Sequence, residues 1–308
     1  MHLHLDYESF SEADIKDVGA YRYAFDSSTT LLMAAMAFDD QEPVIWHPYM
    51  TDAELSALDP YWDALENPEM LIYAHNAGFE YAMSQALMWK TWGIRPPHIS
   101  RFRCTASLAR RAALPAKLEK LSEFLGTVIK DARGKSLIRK FSIMQPAKKE
   151  TQKRPALPPR RIYPKDDWPA FVEFMEYCKQ DVRAEQEVAR RLRYFDEPIN
   201  NRNYTLHEVI NARGVTVNVP ALRHAQKLID EETEIVSRKF RDMTGLNFTQ
   251  TDAVLTWARE NGYPYDDLQA ATVENYFEEE EKKIGEKGIA EVSLALRASV
   301  SYAAVKKV

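Results

Sequence analysis

The sequence predicts an α/β sheet domain followed by a helical extension, on three observations. Up to about Phe195, short strand-like runs alternate with segments of helical periodicity, the pattern of a sheet flanked by helices. The most regular helical segment, Trp168 to about Phe195, carries an apolar stripe at Phe171, Phe174, Cys178, Val182 and Val188. From Asn203 onward the chain turns almost wholly helical with acidic faces, so a boundary is expected near residue 200, dividing 1–200 from 201–308.

In chain order, His2–Glu8 reads as a first strand. LLMAAMAF from Leu31 and the following DDQEPVIWHP read as two strands joined by a turn at Asp39–Glu42. A helix is expected from Asp52 to Glu66, then a short buried strand at LIYAHN (Leu71–Asn76). The next helix begins near Gly78, with Phe79, Met83, Leu87 and Met88 at helical spacing. Asp166–Asp167 supply a cap and first-turn acids to the Trp168 helix, and Pro169 is tolerated where no helical donor is needed. Beyond the boundary only VTVNV looks like a strand. Pro220 opens a long helix that Gly245 ends, and Thr251–Asn261 forms another closed by Gly262. EEEEKKIGEKG reads as a charged, solvated connection.

A chain of 308 residues can bury a full core, and 45% hydrophobic with 28% charged residues is ordinary for a soluble protein. Cys104 and Cys178 are too few for a disulfide framework and suit a reducing interior such as cytoplasm. MHLHLDYESF turns acidic too early for a signal peptide, and LLMAAMAF is far short of a membrane span. The expectation is an intracellular protein with no membrane partner.

The net charge of −5 gives no general attraction to nucleic acid. Its distribution is uneven: between Arg133 and Arg161 ten Lys/Arg residues face one acid, Glu150. The proline-bearing stretch there is either a solvated surface loop or a basic arm whose Lys148, Lys149, Lys153 and Arg154 track phosphates.

Asp6 and Glu8 stand two apart on the first strand and so project from one face. Carboxylates that close repel unless a cation sits between them, and Mg²⁺ or Mn²⁺ favours such oxygen donors. Alone the pair is weak, since 46 acids predict about seven acid-x-acid pairs by chance. His2 and His4 share that face and read most simply as exposed polar residues. Tyr177 and Asp181 lie one helical turn apart on one face. Glu80 falls in the first turn of a helix after a strand, where an acid also simply complements the helix dipole. An acidic pair, then Asn76-x-x-x-Glu80, then Tyr177-x-x-x-Asp181, in that order, is more informative than any one of them.

That order resembles the DEDDy branch of the ribonuclease-H-like 3′→5′ exonucleases, and more closely the exonuclease region of phage-type family A DNA polymerases. The motifs appear as LDYES, HNAGFEY and YCKQDV. VGAYRYAFDSSTTLLMAAMAFDD, LARRAALPAKLEKLSEFLG and GKSLIRKFS are also similar, LHEVINARGVTVNVPAL resembles the lead into a polymerase thumb, and RASVSYAAVKK the start of a polymerase core. The resemblance implies a ribonuclease-H-like mixed sheet flanked by helices. It also implies two divalent ions, Mg²⁺ or Mn²⁺, held by Asp6, Glu8, Glu80 and Asp181, with Tyr177 orienting the attacking water. Ser9 and Asn76 would contact the terminal nucleotide of a single-stranded DNA 3′ end, and Tyr7, between the two ligands, would lie near it through its backbone. Glu80 departs from the more familiar Asp and is one methylene longer. No lysine-rich nucleotide-binding helix and no His-Asp-Glu motif is found, so a separate polymerase chain or a missing polymerase domain is the expected partner. An RNA-trimming enzyme and a non-catalytic docking domain stay open.

Overall fold

The computed structural model describes residues 1–127, 134–147 and 158–283. Lys148, Lys149, Lys153 and Arg154 lie outside the described residues, as does the RASVSYAAVKK stretch. The chain divides into two compact units, Met1–Gly214 and Val215–Val308.

The first unit runs β1 (Leu3–Phe10), α1 (Ile15–Ala24), β2 (Thr30–Phe38), β3 (Val44–Trp46), α2 (Asp52–Ser56), α3 (Asp59–Glu66), β4 (Ile72–Ala74), α4 (Gly78–Trp92) and β5 (Phe102–Cys104). There follow α5 (Thr105–Arg111), α6 (Leu118–Leu125), α7 (Gly134–Phe141), α8 (Trp168–Leu192) and α9 (Pro198–Arg213). The strands form one mixed sheet in the order β3-β2-β1-β4-β5, with β1 antiparallel to β2 and parallel to β4. This is the ribonuclease-H-like arrangement: three antiparallel strands, then two parallel ones reached through helices. The expected helix over Asp52–Glu66 is two helices, because Thr51 and Glu54 form a capping box for α2 and Pro60 opens α3.

Alternation along β1 sends Leu3, Leu5 and Tyr7 into a cluster with residues of α3 and α4. Its other face meets α8, where Phe10 packs with Phe141, Phe171, Phe174, Tyr177, Cys178 and Val182. The register slips between Glu8 and Ser9: Glu8 faces Met33 and Ser9 faces Leu31, leaving Leu32 as the extra residue of a bulge. Accordingly Leu32 and Met33 both join the cluster beneath α8. Arg101 is buried yet satisfied, donating to the carbonyls of Ala64, Leu65 and Met70, and so closes the C-terminal end of α3.

The boundary expected near residue 200 falls instead at 214, because α9 buries Asn200, Tyr204 and Glu208 within the first unit. The second unit contains α10 (Val219–Thr244), α11 (Thr251–Glu260) and α12 (Ala270–Lys283). Residues 215–218 of VTVNV are not a strand; an alternating run becomes one only with a ladder partner, and they have none among the described residues. Asn218 caps α10 through the Ala221 N–H, and Gly245 ends it in the left-handed conformation. Of the run EEEEKKIGEKG expected as a connection, the part up to Lys283 instead continues α12, since Glu and Lys are good helix formers, and the remainder lies outside the described residues.

Candidate active site

Asp6 and Glu8, half-buried, lie on the β1 face turned toward α8. Asp181 on α8 is 8% exposed, and Tyr177, one turn earlier, is 3% exposed. Tyr177 donates a hydrogen bond to Asp181. Its ring stacks on Phe174 at 6.1 Å, and a Cβ added to Gly134 at the start of α7 would meet it at 1.9 Å. Only glycine leaves room for the tyrosine there. Position 134 carried no such meaning in the sequence, because the contact links distant segments.

Glu80 reaches the same centre from the first turn of α4, 3% exposed, with Oε2 lacking a hydrogen-bond partner. Burial pushes its carboxyl well above the usual carboxylate range, and the negative charge of Asp6 pushes it further. The same two causes, burial first and Asp6 next, raise the Cys178 thiol. Its Sγ lies 3.3 Å from Asp6 Oδ2 and donates to it. Burial and then Asp181 raise the Tyr177 phenol, with Glu8 and Asp6 adding to the effect. Side chains from β1, α4 and α8 thus share one region of negative charge.

Two residues sequence reasoning placed there turn elsewhere. Tyr7 and Ser9 belong to the odd-numbered side of β1 and are buried; Tyr7 Oη lies 3.2 Å from Ser84 Oγ and Ser9 Oγ 2.9 Å from Tyr23 Oη. Their side chains serve the core, as period-two alternation away from the Asp6–Glu8 face requires, so the Ser9 hydroxyl is removed from the expected substrate contacts while the expectation for Tyr7 concerns its backbone. His4, expected to be exposed, is instead 1% exposed and paired with Glu185, itself 3% exposed. Burial opposes the charge on the imidazole, but Glu185 outweighs it and holds the group above its ordinary value.

Asn76, in the turn between β4 and α4, has φ 70°, a left-handed conformation that Asn tolerates better than most residues, and it is exposed. It lines a cleft of about 630 Å³ with Tyr21, Phe79, Arg110, Tyr204 and Asn211. Arg110 and the tyrosines were not singled out in the sequence, since nothing local distinguishes them.

Among the described residues no group of three or more His, Cys, Asp or Glu side chains forms a ready-made metal site. The donor set nevertheless fits a hard divalent cation by its chemistry: all-oxygen, anionic, with one buried carboxylate oxygen unsatisfied on Glu80.

Fold and side chains together define a ribonuclease-H-like domain with a carboxylate centre to which β1 and α8 contribute from facing sides and α4 from its first turn. The sequence resemblance to phage DNA polymerases holds: the chain is 29% identical over 283 residues to a DNA polymerase of Bacillus phage SP02. That match covers 90% of this chain but 41% of the polymerase, so the chain spans about two fifths of its relative. No family model matches. Similar solved structures include an apo nuclease (TM-score 0.35, 11% identity, 68% of this chain and 81% of that one). Another is Escherichia coli RNase D, an exoribonuclease involved in structured RNA processing (TM-score 0.40, 14% identity, 99% and 69%). Likenesses this distant add nothing to the topology already described. Among the described residues no helix is long and apolar enough to cross a membrane.

Proposed function

We propose that the first unit is a metal-dependent 3′→5′ exonuclease that removes nucleoside monophosphates from single-stranded or frayed DNA ends, in the manner of proofreading. The observation that carries this is the convergence on Asp6: its charge acts on Glu80, Cys178 and Tyr177, which come from two different helices. Burying like charges together costs stability unless a cation offsets their repulsion, so a set of this kind points to bound cations. Asp6, Glu8, Glu80 and Asp181 would hold two Mg²⁺ or Mn²⁺ ions, which when bound activate water and stabilise the departing 3′ oxygen.

The phenol of Tyr177, raised by burial and by Asp181, stays protonated at neutral pH and so orients a water rather than deprotonating it. Cys178 donates to one oxygen of Asp6 and so limits how that carboxylate can turn. The cleft beside Asn76 offers aromatic rings for a base and Arg110 for a phosphate, and it opens next to the helix turn that carries Glu80. Water attacks the terminal phosphorus and releases a proton to solvent, the P–O3′ bond breaks, and the 3′ oxygen takes up a proton from solvent. The rest of a polymerase, as a further domain or a separate chain, is the proposed partner, consistent with the fraction of the phage polymerase that this chain matches.

The test uses a 5′-labelled single-stranded DNA with Mg²⁺ or Mn²⁺, and an RNA of the same sequence in parallel. A ladder shortening from the 3′ end is expected for DNA, and none with Asp6→Ala/Glu8→Ala. Equal activity in that variant, or an inert wild type, refutes the reading; degradation of RNA alone replaces the substrate.

A further inference from the structure

We infer that His4 and Glu185 form a positioning pair that sets the distance between the strand and the helix carrying the acidic centre. The inference rests on the exonuclease reading above. Along β1, His4, Asp6 and Glu8 project from one face at steps of about 6.6 Å. Along α8, Tyr177, Asp181 and Glu185 project from one face at steps of about 6 Å. The two rows run in opposite directions with nearly equal spacing, so their members meet as rungs. Glu185 pairs with His4, the Asp6 carboxylate contacts α8 at Cys178, and Glu8 and Asp181 both act on Tyr177.

The rungs differ in charge. Near the middle of the rows the carboxylates of Asp6 on β1 and Asp181 on α8 both act on Cys178, and Glu80 brings a third, buried carboxyl group from α4 on which Asp6 also acts. Without a cation the like charges of Asp6 and Asp181 disfavour the close approach of β1 and α8. The His4–Glu185 rung is attractive, almost completely removed from water, and the next one along from Asp6 and Asp181. Stability alone does not call for such a pair, since buried ion pairs can often be replaced by apolar residues of similar volume without loss. An apolar contact there would tolerate sliding and rotation of α8; a directional bond to an imidazole nitrogen does not. Glu185 Oε1 has no hydrogen-bond partner, so the carboxylate is tied through its other oxygen to His4. The pair therefore fixes the geometry of groups that would hold metal without joining them.

The test titrates Mn²⁺ against the full chain and follows the free ion by electron paramagnetic resonance, with thermal unfolding in parallel. In His4→Leu/Glu185→Leu the midpoint should stay within about 3 °C of wild type. Its Mn²⁺ dissociation constant should rise about 10- to 100-fold, as when groups behind metal ligands are removed. Glu185→Gln keeps an acceptor for His4 and should weaken Mn²⁺ by less, about two- to fivefold. Wild-type Mn²⁺ affinity in the folded double variant overturns the inference; should that variant not fold, wild-type affinity in Glu185→Gln does so. A wild type that binds no Mn²⁺ and leaves DNA intact removes the exonuclease reading as well. One that binds Mn²⁺ and degrades DNA, beside an unaltered variant, removes only the pair.

Discussion

On one side of β1, Leu3, Leu5 and Tyr7 are each no more than 3% exposed and pack into the larger core cluster. On the other side, two residues out of step with them, Asp6 and Glu8 face α8 beside Tyr177, Cys178 and Asp181. The backbone and hydrogen-bond ladders are the same; only the alternation differs. The first face gains stability by leaving water, and the second loses some by holding like charges out of water. A strand with both faces apolar would pack at lower cost, which is why the second face asks for a functional explanation.

The largest effect should come from emptying the charged face. Removing both acids in Asp6→Ala/Glu8→Ala forfeits several kcal/mol of transition-state stabilisation, so DNA degradation should fall on the order of a thousandfold. The thermal midpoint, read by circular dichroism, should hold or rise through relief of repulsion. A fall in stability like that of a core truncation would erase the distinction between the two faces. The opposite change is Leu5→Ala, which should lower unfolding free energy in urea by about 2–5 kcal/mol while folded molecules keep their nuclease rate.

Tyr177→Phe should slow hydrolysis by about 10- to 100-fold with DNA affinity nearly unchanged, because only the hydroxyl is lost. Gly134→Ala keeps that hydroxyl but drives a methyl into the ring, so its rate should fall by a similar factor, about 10- to 100-fold, with a loss of stability besides. A normal rate in Gly134→Ala would mean that the ring's placement is not critical. The smallest effect is expected of Cys178→Ala, where the loss of one weak donor to Asp6 should cost about two- to fivefold in rate at saturating DNA. A larger loss would make the thiol more than a support for the carboxylate.

Much of this organisation was legible beforehand. Period-two and helical patterning marked β1, β2 and α8, and the ordered acidic motifs brought Asp6, Glu80, Tyr177 and Asp181 into consideration from residues far apart. What stayed hidden depends on which segments become neighbours. Cys178 reads as a small apolar residue until Asp6 is placed beside it. His4 reads as exposed until α8 covers it with Glu185, and Gly134 is unremarked until Tyr177 lies against it. VTVNV misled for the same reason in reverse, having the pattern of a strand but no neighbour to complete it.

Because β1 is hydrogen-bonded on both sides, to β2 antiparallel and to β4 parallel, its parity is locked. Inserting or deleting one codon within it would exchange the faces of every residue beyond the lesion, driving carboxylates into the apolar cluster and leucines against α8. A two-codon change would preserve the sides but carry the acids about 6.6 Å along the sheet, past the helix turn they face. In the genetics of this chain, frame-preserving lesions in that short stretch should therefore behave as nulls, while conservative apolar exchanges at Leu3 or Leu5 should pass as mild.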